Sequence, residues 1–523
     1  MTAVFEAENQ TEIAALKARI SKLERLLKYY EEQLRISKHR QYGASSEKSE
    51  HDFTQLSIFN EAELFADANE PEPELVEVEK HYRKRTRLTT DKLPEDLPVE
   101  VVEHHLPESE QICPECGGEL HVMGRDIRRE LVIIPAQVKI REHVRMVYAC
   151  RDCEKDECGV PIVKSPIDEP VIKGSFASPE AIAHIMTQKF VMGTPLYRQE
   201  QELQRNGIKL SRQTMSNWLI RATEDWLEPI YEGLHEILRG HEVLHADETT
   251  LQVLHEPGKT AQSKSYMWLY RTGSDTEHPI VLYEYQPDRK TKRPAAFLKD
   301  FKGYLHTDGY EAYHSLGNGI TVIGCWAHVR RKFDEALKAM AEGDRESSSA
   351  LRGKRYCDRL FLLEREYAEL TSQERYRKRL EMSKPVLDEF FSWAASLKVV
   401  PKSGIGIAVH YALSQRRYLD RYLLDGRLEI SNNRAERSIK PFVIDRKNFL
   451  FANTPRGAKA SAVLFSLIET AKENQLNPFM YLVYVFENAP NRNIRNDPDA
   501  LQQFMPAFVP SYIRALGEPC PSV

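Results

Sequence analysis

Hydrophobic residues near the N-terminus recur at alternating spacings of three and four: Ile13, Leu16, Ile20, Leu23, Leu27, Tyr30 and Leu34. This narrow a/d seam, about three heptads long, predicts a coiled coil over 10–40 that pairs the chain with a copy of itself. An amphipathic helix packed on its own domain would show a wider stripe. Periodicity then stops. Residues 41–92 are acidic and proline-containing and read as a flexible linker that ends near the basic run His81–Arg87. The helical period returns at Ser178, which can cap a helix whose first residue is Pro179. A second helix runs to Arg205, Asn206-Gly207 breaks it, and Ser211 caps a third. On that third helix Met215, Trp218, Leu219 and Ala222 share one face, while Arg212, Gln213, Ser216, Asn217 and Arg221 share the other. Residues 175–238 therefore read as a helix-turn-helix-like DNA-binding region, with Arg212, Gln213 and Asn217 toward the bases; an ordinary helical hairpin is the alternative.

From Val243 the period changes to two. Strands are expected at Val243–Ala246, Tyr266–Arg271, Ile280–Tyr285, Tyr304–Thr307 and Thr321–Cys325, with helix-like segments at Arg293–Lys299 and from Ala327. Three strands, a helix, a strand, a short helix, a strand and a helix is the order of an RNase H-like fold. The expected architecture is multidomain α/β. Its catalytic core spans 240–338 and 427–475, interrupted by a helical insertion over 339–426 and followed by a C-terminal helical region over 476–523.

Charge changes this picture locally, not globally. The net charge of −5 over 523 residues hides an acidic stretch at Glu61–Glu79 and basic clusters at Arg289–Arg293, Arg330–Lys332 and Arg434–Lys447. Such patches, rather than the sum, decide phosphate binding. With no apolar run of bilayer length and no signal-peptide pattern, the cytoplasm is the expected compartment and a membrane is not an expected partner.

Two C-x-x-C pairs, Cys113/Cys116 and Cys150/Cys153, enclose strand-like segments at Leu131–Ile134 and Val144–Ala149. Four thiolates at this spacing predict a structural Zn²⁺ in a zinc ribbon-like domain over 93–165. The other cysteines, Cys158, Cys325, Cys357 and Cys520, read as small buried hydrophobes.

Three acids stand out by position. Asp247 closes the first strand, Asp308 closes the fourth, and Glu436 opens a helix after the fifth. In an RNase H-like order these are the slots of a Mg²⁺ (or Mn²⁺) site for two-metal phosphoryl chemistry. Each also has a bland reading: Asp308-Gly309 is a turn dipeptide, and Glu436 is placed to reach back to an Asn433 cap.

Several long motifs resemble the insertion sequence 66 family of DDE transposases: HADETTLQVL, YLHTDGYEAY, CWAHVRRKF and SNNRAERSIKPFVIDRKNFLF, with QYGASSEK, ICPECGGEL and GAKASAVLFSLIETAKENQLNPFMYLVYVF outside the core. The resemblance implies Asp247, Asp308 and Glu436 as a catalytic, metal-holding triad that cuts double-stranded DNA at element ends and transfers the strand to target DNA. It implies end binding by the zinc and helix-turn-helix units, pairing of protomers, small accessory proteins and a place on the nucleoid. Arg330 and Arg331 are expected on phosphate, and His328 is expected to orient a carboxylate. Asp445 stands where VIGRKN would carry glycine, which puts a turn there in question. A nuclease that does not join strands and an inert DNA-binding regulator are the competing readings.

Overall fold

The computed structural model describes residues 138–149, 162–317 and 319–513, with Lys17, Arg19, Ile20, Tyr30 and Glu31 besides. The chain divides into two units, 1–47 with 169–514 and 48–168 with 515–523. In the second unit, β1 (Val147–Ala149) pairs antiparallel with β2 (Ile162–Lys164), Tyr148 opposite Val163. Nearly all of the expected coiled coil, the acidic linker and all four ribbon cysteines lie outside the described residues.

The first unit opens on helices. Ser178 Oγ accepts the Ala181 N–H at 3.1 Å and starts α1 (Pro179–Phe190). Helix α2 (Leu196–Arg205) ends before Gly207, whose φ of +81° is a conformation that glycine adopts without strain. Ser211 Oγ accepts the Thr214 N–H at 3.1 Å and starts α3 (Arg212–Ala222). One π-helical turn leads into α4 (Glu228–Arg239).

Next come β3 (Val243–Gln252), β4 (Lys264–Thr272), β5 (Val281–Gln286), α5 (Lys292–Phe297), β6 (Gly303–His306), α6 (Glu311–His314) and β7 (Ile320–Ile323). Their order in the sheet is β5-β4-β3-β6-β7. The pairs β3–β4 and β4–β5 are antiparallel; β3–β6 and β6–β7 are parallel. Strand β3 runs to Gln252 and does not stop at Asp247, because pairing with β4 continues after the pairing with β6 has ended. Apolar alternation fails over Asp247–Thr250 because those residues are only partly covered, which is what makes the sequence read as a strand end.

After β7 the chain is helical: α7 (Trp326–Lys338), α8 (Ser349–Glu366), α9 (Ser372–Lys378), α10 (Lys384–Ser396), α11 (Gly404–Leu419), α12 (Asn433–Phe449), α13 (Pro455–Glu473), α14 (Pro478–Asn488) and α15 (Pro498–Gln502). Val243 of β3 and Ile323 of β7 join Trp326, Phe333, Leu360, Phe390 and Leu419 in one apolar core beneath α7, α8, α10 and α11. Leu244 and Ala246 join a second core with α1, α3, α4, α13 and α14. The period-two alternation of β3 thus feeds two different cores. Asp445 lies inside α12, not in a turn, and points into protein beside Lys189. Among the described residues no helix is long and apolar enough to cross a membrane.

Candidate metal and nucleic-acid site

The parallel pairing of β3 and β6 is in register at His245 opposite His306. Both histidines are fully buried, and their rings stack 4.3 Å apart at 11°. Asp247 lies two residues beyond the first and Asp308 two beyond the second. Side chains alternate with period two and neighbouring strands lie about 4.8 Å apart, so the two carboxylates emerge side by side. Each is fixed locally. Asp247 Oδ1 accepts the Glu248 N–H at 2.8 Å, and Asp308 Oδ1 accepts the Tyr310 N–H at 2.9 Å. The Asp308-Gly309 turn is real: Gly309 has a φ of +92°. It is also closed from above, because Tyr411 Oη on α11 donates to the Asp308 carbonyl at 2.9 Å.

Glu436 arrives from α12. Asn432, and not Asn433, occupies the cap position, and its side chain makes no capping bond. Glu436 does not complete a capping box. Asn432 is fully buried and spent elsewhere: Nδ2 donates to the Ala246 carbonyl at 2.8 Å, and Oδ1 faces His245 Nδ1 at 3.0 Å. Since the amide nitrogen is committed to Ala246, the oxygen accepts and His245 carries its proton on Nδ1. The Asn432 N–H donates to Cys325 Sγ at 3.2 Å, and its carbonyl accepts the Glu436 N–H at 3.2 Å. Through side chain and backbone together, this one residue therefore joins the residue before Asp247, the cap of α7 and the first turn of α12. No local pattern singles Asn432 out, and the reading of the sequence missed it.

Electrostatics report the convergence. Burial first, and then the charges of Glu248, Asp308 and Glu436, hold the Asp247 carboxyl well above the usual carboxylate range. Like charges gathered this way, all hard oxygen donors, suit a divalent cation. Glu248 is not a fourth open ligand, because Arg289 and the Tyr313 hydroxyl already hold it.

The basic residues of α7 divide. Arg331 Nη2 reaches Glu436 Oε2 at 3.3 Å, and Arg331 Nη1 donates to His328 Nε2 at 3.3 Å. His328 Nδ1 lies 3.7 Å from Glu436 Oε1. Burial, and then the Arg331 charge, push His328 down to about 4, so the ring is neutral. Arg330 turns away and pairs with Asp358 of α8 at 2.5 Å. Trp326 is core: its indole N–H donates to the Leu419 carbonyl at 3.1 Å.

On the helix-turn-helix-like face, Arg212, Gln213 and Asn217 are exposed while Met215, Trp218 and Leu219 are buried. Gln213 Nε2 points at Asn217 Oδ1 at 3.5 Å, and Arg212 lies over the Tyr197 ring at 5.4 Å. A groove of about 430 Å³ beside them is lined by Phe176, Asn217, Arg221 and Arg456. Arg456 comes from α13, so its place there has no signal in the local sequence.

Four family profiles match successive stretches of the chain. A profile described as "Transposase IS66 family" matches residues 174–460. A zinc-finger binding domain of transposase IS66 matches 110–154, and an IS66 C-terminal element matches 466–506. A profile described as "Transposase C of IS166 homeodomain" matches 29–102, across much of the stretch read as coiled coil and linker. Two relatives from Sinorhizobium fredii, each called an uncharacterized protein, are similar over most of their length. The protein y4qI is 30% identical, over 91% of this chain and 90% of its own. The protein y4jD is 31% identical, over 73% and 75%. Among solved structures, the Drosophila P element transposase strand transfer complex overlaps 56% of this chain and 92% of its own at 12% identity and a TM-score of 0.31.

Proposed function

The chain belongs to the IS66 family of transposases, and we propose that it cuts DNA at mobile-element ends and joins those ends to target DNA with Asp247, Asp308 and Glu436 as its catalytic set. Membership brings DNA as substrate, use of a divalent metal, and a zinc-binding domain over 110–154. The observation that carries the finer reading is the in-register His245–His306 pair, which sets Asp247 beside Asp308, with Asn432 tethering the start of the Glu436 helix to the same strand. With the strand order β5-β4-β3-β6-β7, this supports an RNase H-like catalytic domain.

The three carboxylates fit hard divalent cations, and Mg²⁺ held there supplies an activated water and a counter-charge for the attacking and leaving oxygens of an in-line displacement. The protein's own groups do the rest. The β3–β6 register and the α12 tether hold the acids in place before DNA arrives. Arg331, one third exposed and already at Glu436, is placed to take a phosphate oxygen. Arg330 would first have to leave Asp358 to do the same. Neutral His328 orients Glu436. Arg212, Gln213 and Asn217 of α3 read the element end, with phosphate contacts for affinity and base contacts for sequence. Cys113, Cys116, Cys150 and Cys153 hold the structural zinc, and the N-terminal zipper pairs two protomers so that two ends are handled together. The setting is the cytoplasmic nucleoid.

The test is purified protein with element-end DNA, target DNA and Mg²⁺. Cleavage followed by joining is the expected result. Cleavage without joining points to a nuclease, and binding without either points to a regulator. Asp308→Asn should abolish cleavage and leave end binding intact; a variant that still cuts removes Asp308 from the catalytic set.

A further inference from the structure

We propose that Cys325, His328 and Glu436 form a second cation site, for one soft divalent ion of the zinc class, and that filling it withdraws Glu436 from the two aspartates. The consequence for cleavage rests on the catalytic role of Glu436 given above; the site itself does not.

One ligand atom from each residue, the Cys325 sulfur, a His328 ring nitrogen and a Glu436 oxygen, lies within 4.8 Å of the other two. Bonds of about 2.0–2.3 Å put neighbouring ligands of a tetrahedral zinc roughly 3.3–3.6 Å apart. Side-chain rotation alone closes the remaining ångström or so. The three residues stand on firm elements: Cys325 caps α7, His328 follows three positions later in its first turn, and Glu436 is in the first turn of α12. Their chemistry differs from that of the aspartate pair. A thiol, an imidazole and one carboxylate select zinc over magnesium, which prefers oxygen alone.

Burial, and then the Glu436 charge, push the Cys325 thiol up, so an arriving ion has to displace its proton. The sulfur accepts the Asn432 N–H at 3.2 Å. That donor and the N-terminus of α7 favour negative charge on the sulfur once the proton has left. The histidine offers the right edge. Arg331 occupies Nε2, whereas Nδ1 faces Glu436 Oε1. Ion capture at Nδ1 moves the ring proton to Nε2, displaces Arg331 from that nitrogen, and releases the thiol proton to solvent. A water completes the fourth position. No redox change is involved.

The experiment uses the full chain in excess Mg²⁺. Parent protein, Cys325→Ser and His328→Gln are each titrated with Zn²⁺ and, separately, with Co²⁺. Serine keeps an acceptor for the Asn432 N–H, and the histidine variant leaves that bond untouched. Parent protein should bind one equivalent more than either variant. Relative to Cys325→Ser, its cobalt form should also show an added thiolate charge-transfer band above that of the ribbon cysteines. Equal stoichiometry in all three overturns the site. In the cleavage assay, free zinc at about a hundred times its dissociation constant should slow the parent on the order of a hundredfold, by mass action. Cys325→Ser, referred to its own zinc-free rate, should be spared. Equal inhibition of both overturns the sharing of Glu436. A parent that binds the extra equivalent but never cuts DNA counts against the transposase reading and leaves the metal site standing.

Discussion

Asn432 offers the sharpest test of how the site is held, because its replacement separates folding from positioning. Asn432→Leu keeps the branched shape and removes both side-chain bonds, leaving the His245 Nδ1–H and the Ala246 carbonyl buried without partners. Each orphaned group costs about 1–3 kcal/mol, so the loss of stability should be roughly 2–6 kcal/mol. Against a typical domain stability of about 5–15 kcal/mol the variant still folds in most of that range. Asn432→Asp retains the acceptor for His245 but sets a buried carboxylate oxygen against the Ala246 carbonyl, so it should lose at least as much. The effect on chemistry should exceed the effect on folding. Asn432 joins β3 to the start of α12, and a shift of about 1 Å in the Glu436 backbone is the kind of misplacement that costs around a hundredfold in rate. Urea unfolding gives the first quantity. Cleavage of element-end DNA across a Mg²⁺ titration gives the second, and both variants should need more metal and turn over more slowly while still folded. An Asn432→Leu protein that unfolds earlier but cleaves at the parent rate, at the parent's metal concentration, refutes the positioning role.

Other consequences are more local. Burial raises Asp445 to about 7, so between about pH 4 and that value the folded chain keeps a proton that the unfolded chain has released. The stability of the parent minus that of Asp445→Asn should therefore fall as pH rises through this window; a flat difference in urea midpoints would place Asp445 in solvent. Gly309→Ala forces a side chain onto a φ of +92° and brings its Cβ to 3.1 Å from Tyr411 Oη. A loss of about 1–3 kcal/mol is expected, with slower cleavage, read by thermal unfolding and the same DNA assay. Metal analysis of a Cys113→Ser, Cys150→Ser chain should show the structural zinc gone; zinc content equal to the parent's would remove those cysteines from the site.

Much of the architecture is legible locally, where the cause is local. Ser178, Ser211 and Gly207 act within their own turns, so two helix starts and one break follow from the chain alone. Strand positions follow from period-two alternation, but the end of β3 does not. Asp247–Thr250 leave the apolar pattern because they border the site, while the ladder to β4 continues regardless. The Asp445 position misled for a different reason: a glycine expected by resemblance suggested a turn, whereas the aspartate sits in a continuous helix beside Lys189. Glu436 was ambiguous because N-N-R-A-E suits a capping box and a catalytic helix equally. The cap at Asn432, which makes no side-chain bond, removes the capping box, and α7 brings Arg331 and His328 to that carboxylate.

What no local pattern reveals is the polar layer behind the acids. His245 and Asn432 are partners across 187 positions, and each alone reads as an ordinary polar residue near a strand or a helix start. Their burial makes the pairing compulsory: an unpaired amide or imidazole in that place would cost as much as the bond stabilises. The same logic accounts for the helical insertion. Closing a longer loop costs only about 0.6 kcal/mol per doubling of length, so 339–426 can be accommodated between β7 and α12 without disturbing the register that sets Asp247 beside Asp308. The insertion is nevertheless not a passive loop. Tyr411 on α11 holds the Asp308 carbonyl, and Arg421 just beyond α11 donates to the Val322 carbonyl of β7 at 2.9 Å. Helices remote from the acids in sequence therefore form the wall of the site, and the separation of Asp308 from Glu436 along the chain says little about their separation in space.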